Sequence, residues 1–256
     1  MVAAAKDVLS GKKYICHIAA TPREIRETQN LRYQVFAEEM GAEVTGADQQ
    51  LDTDEFDNFC RHLLVRDTES GKVVASTRML SDERAREAGR FYSATEFDIE
   101  ALTRLSGRKL EIGRTCVHPE YRRGAVIGTL WSGVARHVVQ HNYQYLFGCA
   151  SIPAQDGGHT ASLIANKLVG QGKMTDENMR VTPKTPLTYT TLRHPQTEKV
   201  RMPPLLKAYL NIGAKAAGMP CLDEAFGVAD ILMLLSVREL TPRYARHFFG
   251  CGKQAA

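Results

Sequence analysis

The stretch Lys109-Leu110-Glu111-Ile112-Gly113-Arg114-Thr115-Cys116-Val117-His118-Pro119-Glu120-Tyr121-Arg122-Arg123-Gly124 decides the fold. Residues 109–117 read as a strand that stops at His118-Pro119, because proline cannot donate to a sheet ladder. A glycine-bearing loop follows, then a helix over 125–141 and a second strand over 144–151. Strand, loop, helix, strand in this order implies an α/β sheet with crossover helices. Glu111 and Arg114 sit inside the apolar strand, where charges are costly unless paired or used.

Upstream, residues 14–19 alternate as a first strand. Thr21 as N-cap and Pro22 at the first helical position open a helix that runs to about Met40 and carries Arg32 and Phe36. Residues 41–57 are polar and irregular, a functional loop holding Asp52, Asp54 and Asp57. Residues 62–67 and 73–80 form a hairpin turned at Glu69-Ser70-Gly71-Lys72, and its second strand carries Arg78. Residues 81–90 read as a mobile polar connection, and 98–105 as a short helix. Beyond Pro153 the signals weaken to a helix from Pro203-Pro204, a strand over 231–237 and a short helix from Thr241-Pro242. The expected division is a core over 14–152 and a C-terminal helix–strand extension over 153–249, packed on or completing the same domain. Arg32, Arg78 and Arg114 are expected to pair with Asp54, Asp57 and Glu111 as an active-site cluster.

The bulk numbers mostly exclude. The formal charge of +4 over 256 residues does not by itself imply a nucleic-acid partner. The six cysteines form no CxxC pair and no metal-ligand spacing, so neither a zinc site nor a disulfide framework is expected. No apolar run reaches the roughly 18 residues of a membrane span, and the N-terminus has no leader pattern, which points to the cytoplasm.

The strand ending at His118-Pro119, with Tyr121-Arg122-Arg123-Gly124 and the helix after it, resembles the central motif of the GNAT acyltransferase superfamily. The segments 31–40, 91–97, 111–114, 146–149 and 203–209, with Gly213-Ala214, resemble the bacterial ornithine N-alpha-acyltransferases, which make lyso-ornithine lipid. The resemblance covers 16–249. More distantly, Arg32, Phe36, Asp54, Asp57, Arg78, Glu111 and Arg114 are similar to the site pattern of acyl-homoserine-lactone synthases. The resemblance implies a GNAT-like mixed central sheet flanked by helices. It implies transfer of a (3-hydroxy)fatty acyl chain from acyl carrier protein to the α-amine of L-ornithine. No cofactor would stay bound, and the 4'-phosphopantetheine-linked acyl donor would be a substrate. Acetyl-CoA users of this superfamily carry Arg/Gln-x-x-Gly-x-Gly/Ala before the helix, to hold a pyrophosphate on backbone N–H groups. Here Tyr121 and Ala125 stand three residues before Gly124 and Gly128, so the motif is incomplete, which fits a carrier-protein donor.

On this reading an amine attacks a thioester, and a base must take a proton. Glu111 is either that base or a structural partner of Arg114. Asp54 and Asp57 have an acceptor-side role, with Arg78 and Phe36 in the substrate site and Arg32 weighted toward scaffold. Backbone N–H groups near Thr115, Cys116 and Val117 would meet the thioester oxygen. Arg122, Arg123 and Gly124 would bind the donor, and Arg104, Arg108 and Lys109 would add a basic face for an acidic carrier protein. A covalent acyl-cysteine on Cys116 or Cys149 is the less favoured mechanism, and His118 reads as structural. Segments 203–217 and 238–249 could touch the inner membrane face, although packing on the sheet is their simpler role. The rivals are another acceptor (glycine, lysine, glutamine or an aromatic amino acid) and a non-catalytic binding protein on the same fold.

Overall fold

A computed structural model of the chain describes residues 9–10, 13–122, 125–187, 200–241 and 244. The chain divides into two compact units, each discontinuous in sequence. The first is Met1–Ala88 with Ile112–His141, and the second is Gly89–Glu111 with Asn142–Ala256.

The first unit is built on β1 (Tyr14–Ile18), β2 (Arg61–Asp67) and β3 (Val73–Ser81), joined antiparallel. The last six residues of β4 (Lys109–Val117) lie next to β3. Leu64, Val65 and Ala75 are fully buried in this sheet. Each large apolar side chain so buried contributes about 1.5–3 kcal/mol. Two helices pack on it: α1 (Pro22–Tyr33) and α4 (Val126–Gln140). α1 starts as its sequence dictates, with Pro22 in the first turn and the Thr21 hydroxyl accepting from the Glu24 N–H at 3.2 Å. α4 comes close to the sheet at Gly133, where an added Cβ would lie 2.5 Å from Cys16 Sγ. Residues 81–90 are not a free connection. They hold α2 (Asp82–Glu87), N-capped by Ser81 through the Arg84 N–H and anchored by buried Ala85. A helix this short carries too few apolar residues to show a period, which is why the sequence hides it.

The second unit contains the first three residues of β4, which pair in parallel with β5 (Tyr145–Pro153) from Lys109↔Tyr145 to Glu111↔Phe147. β5 pairs antiparallel along its whole length with β7 (Val228–Ser236), which also pairs with β6 (Cys221–Asp223) and Lys215–Ala216. The boundary expected at residue 152 falls inside β5, and β7 from the expected extension completes this sheet. α3 (Glu100–Thr103) is a single turn. α5 (His159–Gly170) packs on β5, and α6 (Pro204–Ile212) packs on β5 and β7. The sequence reading missed α5, although Ala161, Ile164, Ala165 and Leu168 give it a buried helical stripe. The helix expected from Thr241-Pro242 lies mostly outside the described residues. Among the described residues no helix is long and apolar enough to cross a membrane.

Candidate active site

The first unit gathers three arginines and three aspartates. Arg32, in the last turn of α1, is 1% exposed, and the chain continues as a π-helix over Gln34–Glu39. Such wide turns are frequent at functional sites. Arg32 Nε donates to Asp52 Oδ2 at 2.7 Å, and its two terminal nitrogens donate to Asp57 Oδ1 and Oδ2 at 2.7 and 3.3 Å. Arg78, from β3, donates to Asp57 Oδ1 at 2.9 Å and to Asp54 Oδ1. Arg114, from β4, donates through Nε to Asp52 Oδ2 at 3.1 Å.

The loop chemistry fixes the aspartates locally. Asp54 is the N-cap of a turn over Glu55–Asn58, accepting from the Phe56 N–H at 2.9 Å, and Asp57 accepts back from the Asp54 N–H at 3.3 Å. This is a capping box closed by aspartate. Gln29 adds a hydrogen bond to Asp57 at 3.1 Å. Burial would push the Asp57 carboxyl up, but the guanidiniums of Arg32 and Arg78 outweigh it and hold the group well below the usual carboxylate range. His62 lies against the same cluster, its Nε2 3.2 Å from the Asp57 carbonyl, and burial holds its pKa down.

The six charges balance, three against three, and one atom stands out. Asp54 Oδ2 is buried and has no hydrogen bond among the described residues. Arg114 Nη2 stands 3.5 Å from it, an ion-pair distance only.

Arg114 has φ of +48°, a left-handed conformation in mid-strand. That costs a non-glycine residue of order 1–3 kcal/mol and persists only where surrounding contacts fix it. Its ion pairs to Asp52 and Asp54 are such contacts. Next to it, a Cβ added at Gly113 would meet nothing within 4 Å. Thr115 and Thr77 join through their hydroxyls at 2.8 Å, and Thr77 also donates to the Gly113 carbonyl at 3.2 Å.

The second unit holds the other end of the motif. Glu111 is buried on β4, accepting from the Tyr92 N–H at 2.7 Å, from the Ser93 N–H at 2.7 Å and from the Ser93 hydroxyl. Near it in the same unit, Glu96, Cys149 and Asp230 bring donor atoms within 4.8 Å of one another. Burial, with Asp230 and Asp223 beside it, pushes Glu96 up to about 9. Burial and then Glu96 raise the Cys149 thiol well above its ordinary range. A protonated thiol is a poor nucleophile and a poor metal ligand. Burial likewise pushes Cys116 up to about 11.

Residues 31–132 match the model of the acetyltransferase (GNAT) domain family. A protein of Brucella abortus (strain 2308) named L-ornithine N(alpha)-acyltransferase is 36% identical over 249 residues, which is 90% of this chain and 87% of that protein. This chain belongs to the L-ornithine N(alpha)-acyltransferase family. A protein of the same name from Rhodobacter capsulatus is 33% identical over 248 residues, 92% of this chain and 94% of that protein. The AHL synthase LasI shares the fold, with 16% identity, a TM-score of 0.53, and coverage of 96% of this chain and 100% of that one. The GNAT-like mixed sheet read from the sequence is therefore the fold of the family.

Within this family member, five of the expected residues meet: Arg32, Asp54, Asp57, Arg78 and Arg114. Asp52, which the expected pairing left out, joins Arg32 to Arg114. Its place in the alternating run Asp52-Thr53-Asp54 was the available signal. Glu111, which the expected pairing set beside an arginine, accepts hydrogen bonds from Tyr92 and Ser93, and two of these donors are backbone groups that no sequence pattern marks. Phe36 packs with Leu31, Val35 and Cys116 in a small core cluster. Arg122 grips Glu39 with two bonds of 2.6 Å, and its Nε donates to the Val117 carbonyl at 3.2 Å. Arg123 and Gly124 lie outside the described residues. Lys109 is not part of a basic docking face: it is 7% exposed, and its Nζ donates to the carbonyls of Leu105 and Gly107. Arg108 stacks over Tyr143 at 4.7 Å, and Arg104 pairs with Glu100. His118 accepts from the Glu120 N–H as the cap of a short turn.

Proposed function

We propose that this protein transfers a 3-hydroxy fatty acyl chain from the 4'-phosphopantetheine thioester of acyl carrier protein to the α-amine of L-ornithine, in the cytoplasm at the inner membrane face. The observation that carries the acceptor is Asp54 Oδ2, a buried carboxylate oxygen without a hydrogen-bond donor among the described residues. Such an atom costs about 1–3 kcal/mol until something donates to it. The side-chain ammonium of ornithine is a donor of matching charge, and a neutral side chain of the same length is not. The neighbouring Arg114 suits the acceptor carboxylate.

Glu111 is the proposed base, acting directly or through water. Its hydrogen bonds to Tyr92 and Ser93 fix the carboxylate, and a positioned base contributes about 10²–10⁴ in rate. Backbone N–H groups near Thr115, Cys116 and Val117 are the proposed donors to the thioester oxygen as it gains charge. The incomplete pyrophosphate loop supports a carrier-protein donor over a CoA ester.

The test compares ornithine with norvaline, which has the same carbon chain without the terminal amine. Purified protein is given a 3-hydroxyacyl carrier protein, and products are read by mass spectrometry. The wild type should favour ornithine by about 10²-fold or more in kcat/KM, and Asp54→Asn should lose most of that preference. Equal use of both acceptors by the wild type would overturn the acceptor assignment. Exclusive product from glycine or glutamine would replace the acceptor and keep the chemistry.

A further inference from the structure

α1 has two working faces. Arg32 points one way, into the ion cluster. The side chains of Arg23, Arg26, Glu27 and Asn30 recur at helical spacing and line a cavity of about 710 Å³ within the first unit. This volume falls in the range of small-ligand sites. None of Arg32, Asp52, Asp54, Asp57, Arg78 and Arg114 lines it, so the reaction has not accounted for it.

The cavity is amphipathic. Leu31, Leu51 and Val74, at 2%, 7% and 1% exposure, are apolar lining. Arg23, Arg26, Arg66 and Lys72 supply four cations, against the single lining carboxylate Glu27. Glu27 is already shared by Arg23 at 3.1 Å and Arg66 at 2.6 Å. Arg66 also donates to the Gly71 carbonyl at 2.7 Å, which fixes it beside the hairpin turn. Arg26 and Lys72 are exposed, and neither side chain has a carboxylate partner among the described residues. A concave site with apolar lining and surplus, partly fixed positive charge suits an anion that carries its own apolar portion.

We propose that this cavity binds the phosphate headgroup of an anionic phospholipid and seats the enzyme on a membrane through α1 and the β2–β3 turn. Arg66, Arg26 and Lys72 would hold the phosphate, and Leu31 and Leu51 would face the carbons next to it. The inference sharpens the membrane location proposed above, and its failure would leave the acyl-transfer reading untouched.

The test is co-sedimentation of the full chain with vesicles of phosphatidylglycerol and phosphatidylcholine, against phosphatidylcholine alone. Each basic side chain near an anionic surface contributes about fivefold to partition. Arg26→Glu with Lys72→Glu should therefore lower binding to the anionic vesicles by at least about 30-fold. The double variant should keep wild-type turnover with soluble donor and acceptor when no vesicles are present. Arg104→Glu with Lys167→Glu, both exposed and in the second unit, is the control for general surface charge and should change binding little.

Equal losses in both variants would overturn the proposal. So would binding of glycerol 3-phosphate without any binding to vesicles, which would make this a small-phosphate site. If the Arg26/Lys72 variant lost turnover without vesicles and still bound them, the cavity would serve the donor protein and the proposal would fail.

Discussion

Asp57→Asn tests the ion cluster at its most connected point. The carboxylate accepts from Arg32 through both oxygens, from Arg78, from Gln29 and from the Asp54 N–H. The substitution keeps the shape and removes one of three negative charges. It also turns an amide NH₂ toward a guanidinium, donor against donor. Arg32 and Arg78 are 1% and 3% exposed, so water cannot replace the lost partner. Breaking a buried pair from one side costs about 3–5 kcal/mol. Trp131, the only tryptophan, lies on α4 in the same unit, so its fluorescence reports this unfolding. With an m-value of about 2 kcal/mol/M, the urea midpoint should fall by about 2 M. Adding Arg78→Met restores charge balance, and the double variant should be less destabilised than the sum of the singles by about 2 kcal/mol. The pH dependence follows from the depressed Asp57 pKa. Its stabilisation is complete above the unfolded aspartate value of about 3.9 and is lost as pH falls through the lower folded value, so wild type and variant should converge in strong acid. A midpoint shift below about 0.5 M, or strict additivity in the double variant, would refute the reasoning.

Three further predictions concern β4 and the acidic group of the second unit. Arg114→Gly and Arg114→Ala should both lose activity, but the glycine variant should be the more stable by about 1 kcal/mol in urea unfolding, because only alanine keeps the left-handed strain; equal stability would deny that the conformation is strained. Gly113→Val should fold normally by circular dichroism and melting, since its Cβ meets nothing within 4 Å, yet kcat/KM should drop by about 10-fold or more; unchanged turnover would show that this open space is not used by substrate. Glu96 holds a proton in the folded state up to about pH 9 that the unfolded chain releases near 4.3, so stability should decline as pH rises between these values. Glu96→Gln should remove that decline in calorimetric melting curves from acid to alkaline pH, and parallel curves would contradict the raised pKa.

The fold was most legible where local chemistry and pattern agreed. The Thr21-Pro22 start of α1, the hairpin turned at Gly71 and the strand 109–117 all follow from capping, turn and alternation rules. α5 was obscured because Gly157 and Gly158, both with positive φ, precede it and read as loop. In the site, charges stranded in apolar segments identified the arginines and two of the three aspartates. Glu96 and Asp230 were not found, because they are far apart in sequence, one ending the short turn Tyr92–Thr95 and the other lying on β7, and only the tertiary fold brings them together. The partners of Glu111 were hidden for a different reason: backbone N–H groups are present at every non-proline residue, so only the fold selects which ones converge on it.

The discontinuous units set an order of events during synthesis. The first unit cannot be completed when residue 88 leaves the ribosome, because its closing strand and α4 lie beyond the insertion of residues 89–111. At about 5–20 residues per second, the nascent chain waits on the order of seconds. Of the three arginines that pair with the loop's aspartates in the finished chain, only Arg32 and Arg78 have been made by then. The translation of Arg114 brings the last counter-charge, so the same side chain that borders the orphaned oxygen of Asp54 also marks the moment at which the nascent half can neutralise its own interior.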